Sequence, residues 1–207
     1  MPEKPEPLVF IVSGPSGSGK STLVEKILEV PGTILSVSCT TRPPRGAEVN
    51  GKWYNFISEA EFEEMRLRGE FLECAQVFGK HRYGTPRRWL DLARTRSLDL
   101  VLEIDVQGAT QVKKALPSAV AIFIVPPSRQ ELEKRIRARG QDSADEIARR
   151  LDRARQELER YNEYDFAVIN DDSERAIQDV QSIIRGTRCR VSSNQAKVQE
   201  ILKSFEG

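Results

Sequence analysis

The chain has 207 residues, 32 of them Lys or Arg against 31 Asp or Glu, for a formal net charge of +1. That length suits one domain whose core carries the fold without disulfide or metal staples, and the charge balance predicts no nucleic-acid or membrane partner, so any phosphate binding must be local. A single histidine, His81, and three cysteines without CxxC spacing, Cys39, Cys74 and Cys189, exclude multi-histidine metal sites and argue against structural zinc.

The opening MPEKPEP carries acidic residues and prolines ahead of a short apolar run, the wrong flanks for a secretory signal. No apolar run approaches the roughly 20 residues of a membrane span. With the odd cysteine count, this predicts a cytoplasmic protein with reduced thiols. Residues 8–12 form a continuous β-prone run, as in a strand buried on both faces, and lead through glycine-rich GPSGSGKST into a helical pattern that continues to Val30. After the Pro31-Gly32 turn, residues 34–38 read as a second strand; residues 99–104, 120–125 and 166–169 are three more, separated by helical segments. Strands alternating with helices predict an α/β fold, a parallel sheet with helices on both faces and right-handed crossovers.

Two stretches interrupt the alternation. Residues 38–84 mix aromatic and charged side chains, with strands at 53–57 and 71–78 around a helix capped by Ser58 and Glu61, an inserted β-rich lobe. Residues 128–160 hold two arginine-rich helices, opened by Ser128 with Glu131 and Ser143 with Glu146 and broken at Gly140, which read as a mobile lid. The core is then 8–37, 85–127 and 161–188. In the tail, 189–207, SSNQ reads as a linker before a short amphipathic helix without chemistry.

Gly14-Pro15-Ser16-Gly17-Ser18-Gly19-Lys20-Ser21 satisfies the GxxxxGKS pattern between a predicted strand and helix, with Thr22 following. Glycines let backbone N–H groups converge on phosphate oxygens, the helix N-terminus adds a favourable dipole, and Lys20 neutralises β and γ phosphates. Ser21 is the expected Mg²⁺ ligand and ATP the expected occupant, so the core is of the P-loop NTPase type. Downstream, Arg42 and Arg45 lie three apart on a proline-stiffened loop, followed by Tyr54, a set suited to gripping a second phosphate by forked hydrogen bonds.

The SCTTRPPRGAEVNGKWY segment, the P-loop before it, FLE, YGT, LEIDVQGA, RARGQD and VINDD together resemble guanylate kinase, in that family's order, over residues 8 to 188. The resemblance implies ATP:GMP phosphotransfer with Mg²⁺, the small-molecule nucleotides ATP, GMP, ADP and GDP as partners, and GMP contacts at Ser38, Arg42, Arg45, Tyr54, Glu73, Tyr83, Thr85 and Asp105. It places lid arginines at Arg135, Arg139 and Arg150, and Asn170 at the adenine. Carboxylates suit guanine, whose N1–H and N2–H₂ are adjacent donors, whereas adenine would leave Glu73 unpaired.

The chain departs from the family pattern twice. Glu73 and Tyr83 are ten residues apart rather than nine, and Glu103 stands where many members have a first aspartate ahead of Asp105, so either carboxylate is open as the one reaching Mg²⁺ through water. His81 reads as a surface-loop residue. Cys39 and Cys74 follow Ser38 and Glu73, as small buried hydrophobes or as thiols whose modification would disturb the acceptor. Two other functions share these motifs: a P-loop kinase for another phosphate ester such as ribose bisphosphate, and a non-catalytic phosphopeptide-binding module. The base-reading set disfavours the first, and the intact Lys20, Ser21 and lid arginines disfavour the second.

Overall fold

The computed structural model describes residues 6–44, 46–52, 54–77, 81–138 and 143–205. Strands β1 (Val9–Ser13), β2 (Thr33–Leu35), β3 (Cys39–Thr40), β4 (Asn55–Phe56), β5 (Phe71–Val77), β6 (His81–Pro86), β7 (Asp99–Glu103), β8 (Val120–Val125) and β9 (Phe166–Ile169) fall into two sheets. The larger is wholly parallel, in the order β2-β7-β1-β8-β9, and the smaller runs β4-β3-β6-β5.

The alternation of β1 divides the core. Phe10 and Val12 face helices α1 (Lys20–Ile27) and α7 (Ser173–Arg188), in a cluster with Leu23, Ile27, Val180 and Ile184. Val9 and Ile11 face α3 (Arg88–Arg96) and α4 (Val106–Ala115), with Ala93, Ala109 and Val112. Strand residues alternate between faces, so one strand serves both layers. Phe10 is fully buried, and truncating it to Ala would cost about 3–5 kcal/mol.

Several boundaries differ from expectation for local reasons. Helix α1 ends at Ile27 rather than Val30, because the Thr33 hydroxyl donates to the Ile27 and Val30 carbonyls and draws the chain into a turn. Strand β2 stops at Leu35: beyond it the Val37 carbonyl accepts from Asn55 Nδ2 and Trp89 Nε1 instead of a neighbouring strand. The strand expected at 53–57 is shorter, with Asn55–Phe56 its paired part among the described residues. Turn bonds from Gly51 N to the Tyr54 carbonyl and from Lys52 N to the Val49 carbonyl precede it, and Ser58 caps the next helix. His81 is not a loop residue; it opens β6, half-buried and opposite Val77. SSNQ is not a linker. It lies inside α8 (Val191–Lys203), where Ser193 Oγ donates to the Thr187 carbonyl and Asn194 Nδ2 to that of Arg188.

The smaller sheet has its own satellite core. Helix α2 (Glu59–Leu67), capped by Ser58 accepting from Glu61 N, lays Phe62 and Met65 on Cys39 and Phe71, with the Phe62 and Phe71 rings stacked at 4.6 Å. Strand β6 runs to Pro86, two residues beyond the expected end of the lobe at 84. The exposed edge of β5 is tied to the core by Gln111 of α4, which donates to the Cys74 carbonyl at 2.9 Å and accepts from its N–H at 3.3 Å. This satisfies an edge strand that would otherwise present unpaired backbone. Helices α5 (Arg129–Ala138) and α6 (Ala144–Leu158) form a third unit around Leu132, Ile136, Ile147, Leu151 and Ala154. Ser128 accepts from Glu131 N and Ser143 from Glu146 N, as their spacing predicts; the Gly140 break lies outside the described residues.

Candidate active site

The parallel strand β1 hands the chain to α1 through the glycine-rich loop, so the loop sits at the carboxyl end of the sheet, where open α/β folds bind ligands. Gly19, the N-cap of α1, has φ 93°, and a Cβ there would stand 2.2 Å from Asn170 Nδ2. Only glycine fits that conformation and that approach. Asn170 is itself buried and donates to the Ser18 carbonyl at 2.7 Å, so its amide holds the loop rather than facing open space where an adenine contact was expected. Lys20 Nζ arches back over the loop, donating to the Gly14 and Pro15 carbonyls at 2.7 and 2.9 Å. Ser21 Oγ donates to Glu103 Oε1 at 2.7 Å, while Asp105 caps α4 by accepting from Gly108 N at 2.9 Å.

Facing the loop is the pleated surface of the smaller sheet. Antiparallel register sets Glu73 opposite Thr85 and Ala75 opposite Tyr83, so all four share one face, and the ten-residue separation of Glu73 and Tyr83 still brings both to the site. Thr85 Oγ1 donates to Glu73 Oε1 at 2.7 Å and lies 3.3 Å from Ser38 Oγ. With its proton spent on the carboxylate, Thr85 accepts from Ser38. Burial, reinforced by the charge of Asp105, pushes the Glu73 carboxyl up to about 7, against the partial relief of the Thr85 bond. Gly108 leaves room for it: a Cβ there would stand 2.7 Å from Glu73 Oε2.

Arg42 is buried and largely engaged. Nη1 and Nη2 donate to the two oxygens of Glu48 at 2.6 and 2.7 Å, Nε donates to the Tyr83 hydroxyl at 3.1 Å, and the guanidinium stands 5.1 Å from the Tyr54 ring centroid. Burial pushes the Tyr54 phenol well above its usual range. The Glu48 fork raises Arg42 as well, so the guanidinium is a permanent cation.

One cavity of about 240 Å³ joins the two sides. Its wall takes Gly14, Ser16, Gly17, Gly19, Lys20 and Ser21 from the loop, Ser38, Tyr54, Glu73 and Tyr83 from the lobe, and Glu103 and Asp105 from the end of β7. Arg42 and Thr85 adjoin it through Tyr83 and Glu73. Pro15, Ser18 and Thr22 belong to the loop segment without entering the wall, and Arg135, Arg150 and Asn170 also lie outside it. Arg135 instead donates to Glu131 and to the Asn170 carbonyl. Arg45 and Arg139 fall outside the described residues. Cys39 is buried, its thiol pushed up to about 11, and half-buried Cys74 is also raised, which fits small hydrophobes rather than reactive thiolates.

Three side chains at or beside the cavity escape a residue-by-residue reading: Glu48, which forks Arg42, and Arg153 and Glu157, which complete the cavity wall from α6. Glu48 lies within the quoted arginine segment, and Arg153 with Glu157 is an i,i+4 pair on the lid, but neither spacing says what the pair faces. Among the described residues no group of three or more His, Cys, Asp or Glu could hold a metal, and no helix is long and apolar enough to cross a membrane.

The family model for guanylate kinase matches residues 6–187. A guanylate kinase of Photobacterium profundum is 46% identical over 200 residues, covering 95% of this chain and 96% of that one. One of Shewanella violacea is 50% identical over 182 residues, 87% of each. The crystal structure of guanylate kinase from Anaplasma phagocytophilum superposes with a TM-score of 0.78 at 31% identity, over 95% of both chains.

Proposed function

The chain belongs to the guanylate kinase family, and on that premise we propose that ATP lies along the 14–21 loop, GMP lies against the smaller sheet, and the cavity between them is where the γ-phosphoryl group passes directly from one to the other. The activity is that of an ATP:GMP phosphotransferase. The observation that supports this placement is the shared wall, in which Lys20 and the buried carboxylate of Glu73 line one cavity.

Guanine offers two adjacent N–H donors, and Glu73 has one oxygen bonded to Thr85 and a second facing the Gly108 gap, so its carboxylate can accept from the base. Arg42, held flat by Glu48, and the Tyr54 and Tyr83 hydroxyls take the acceptor phosphate, a role that the family resemblance also gives to Arg45. Such a phosphate has a second pKa of about 6, so near neutral pH its attacking oxygen is already ionised and no general base is needed. The chain's work is alignment and charge compensation. Lys20 and the lid arginines Arg135, Arg139 and Arg150 supply positive charge, and closure of lobe and lid excludes water that would otherwise hydrolyse ATP.

The oxygens of Ser21 and Glu103, 2.7 Å apart at the α1 N-terminus, suit a hard cation such as Mg²⁺. Ser21 would hold it directly and Glu103, rather than Asp105, through water. When bound, Mg²⁺ neutralises charge on the transferred phosphoryl group. The three free cysteines accord with a reducing compartment, the cytoplasm.

The test is ADP formation from ATP with Mg²⁺ and GMP, dGMP, AMP, UMP or ribose 1,5-bisphosphate as acceptor. A strong preference for the guanine nucleotides is expected. Equal rates with AMP would remove Glu73 as the base reader, and activity with the sugar phosphate alone would remove the acceptor assignment while leaving the loop.

A further inference from the structure

Asp105 divides its two oxygens unequally. Oδ1 caps α4 through Gly108 N at 2.9 Å, whereas Oδ2 is shielded from solvent and accepts no hydrogen bond among the described residues. Opposite Oδ2, at 3.6 Å, stands Nη2 of Arg153. Arg153 comes from α6, which packs with α5 around its own small core, and its Nε is aimed by Glu157 at 2.8 Å, one helical turn further on. Both residues enter the cavity wall between the loop and the lobe.

We propose that Arg153 is a positioning residue that latches the lid onto the acceptor site through Asp105. The path is short and contiguous. The guanidinium faces Asp105 Oδ2, Asp105 Oδ1 holds the first turn of α4 at Gly108, and a Cβ on Gly108 would touch both Asp105 Oδ1 and Glu73 Oε2. Asp105 and Glu73 are thus two carboxylates flanking one glycine, a repulsive pair in a sheltered site. The Arg153 cation reduces that repulsion and fixes the Asp105 carboxylate when α6 lies against the core. Seating of the lid and readiness of the acceptor site then favour each other by linkage. Arg160 and Glu157 also face this carboxylate from the lid side; Arg160 is ion-paired with Glu163 at 2.6 Å and Glu157 aims Arg153, which leaves Arg153 as the directed cation.

The proposal rests on Glu73 lying in the GMP site, and the experiment separates the two. Arg153→Gln is expected to raise KM for GMP about tenfold, with kcat within about threefold and KM for ATP within about twofold of the parent. Arg153→Lys should recover most of the loss. In an Asp105→Asn background, which keeps an oxygen for the α4 cap, Arg153→Gln should change KM for GMP by less than about twofold, the non-additivity expected of a pair acting as one unit. A tenfold effect that persists in that background would mean that Arg153 touches the substrate itself and would overturn the latch. Equal rises in both KM values, or none, would also overturn it. If Glu73→Gln leaves KM for GMP unchanged as well, the acceptor site and the latch fall together; if only Glu73→Gln raises it, the latch alone falls. Thermal melts of each variant confirm that the fold is retained.

Discussion

On one side of the cavity, eight consecutive residues from Gly14 to Ser21 build the whole phosphate loop, mostly from backbone groups and one lysine bonded to its own loop carbonyls. On the other side Ser38, Tyr54, Glu73, Tyr83 and Asp105 arrive from separate segments across two sheets, with Thr85 bonding Ser38 to Glu73 and Arg42 donating to the Tyr83 hydroxyl. The loop is a local device in its chemistry, held in place by the strand and helix around it and by the Asn170 amide on the Ser18 carbonyl. The acceptor surface is a network, in which a change at one member is felt by its neighbours through shared hydrogen bonds and charge.

The largest expected effect tests the local side. Lys20→Met removes the cation but keeps the length of the side chain, so turnover should fall by about 10³-fold, while the melting temperature stays near that of the parent. Turnover within tenfold of the parent would show that the loop lysine does not serve the phosphates.

Glu73→Gln comes next and tests the network. An amide in place of the carboxylate sets a donor against guanine N–H groups, and KM for GMP should rise by about 10²-fold with KM for ATP unchanged. The parent should also show two opposite pH dependences. With the ordinary value at 4.5 and the native one about 7, the folded protein between these values holds a proton that the unfolded chain has released. The contribution of Glu73 to stability therefore falls as pH rises through that window and is flat above it. Over the same window kcat/KM for GMP rises, because only the carboxylate accepts from guanine. Denaturant midpoints and kinetics at pH 5, 6 and 8 measure both, and Glu73→Gln should remove the Glu73 part of the stability slope and leave in kcat/KM only the rise that follows ionisation of the GMP phosphate.

Glu48→Gln is milder. It keeps the shape of the fork on Arg42 but removes its charge, and KM for GMP should rise about tenfold; an unchanged value would uncouple the fork from the acceptor phosphate. The smallest effect should come from removing residues 191–207. Helix α8 buries no residue, and Val191 at its start and Phe205 beyond its end are exposed, so kcat/KM for both nucleotides should stay within about twofold, and a larger loss would give the tail a role in the site.

The same contrast governs what could be read in advance. The five core strands, the loop and the capped helices α2, α5 and α6 follow from runs of apolar residues, a glycine-rich spacing and Ser-x-x-Glu signals, all local patterns. The ends of α1 and β2 were not legible, because Thr33 decides the first and Asn55 with Trp89 the second by side-chain hydrogen bonds. Arg42, Arg45 and Tyr54 were legible as a second phosphate grip from their spacing, and the other acceptor residues only through resemblance to a family. Asn170 illustrates the gap: its place in a motif suggested a nucleotide contact, but only the packing of the segment after β9 against the loop shows its amide on the Ser18 carbonyl.

By itself the sequence determined the parallel α/β core, the phosphate loop and its lysine, since each depends on residues adjacent along the chain. The tertiary structure decided that Glu48 forks Arg42, that Glu103 rather than Asp105 meets Ser21, and that Arg153 of the lid faces Asp105. Each of the last two joins residues tens of positions apart, and even Glu48 is aimed by a turn rather than by its spacing. A side chain's role there is set by which buried charge or open oxygen the fold places opposite it.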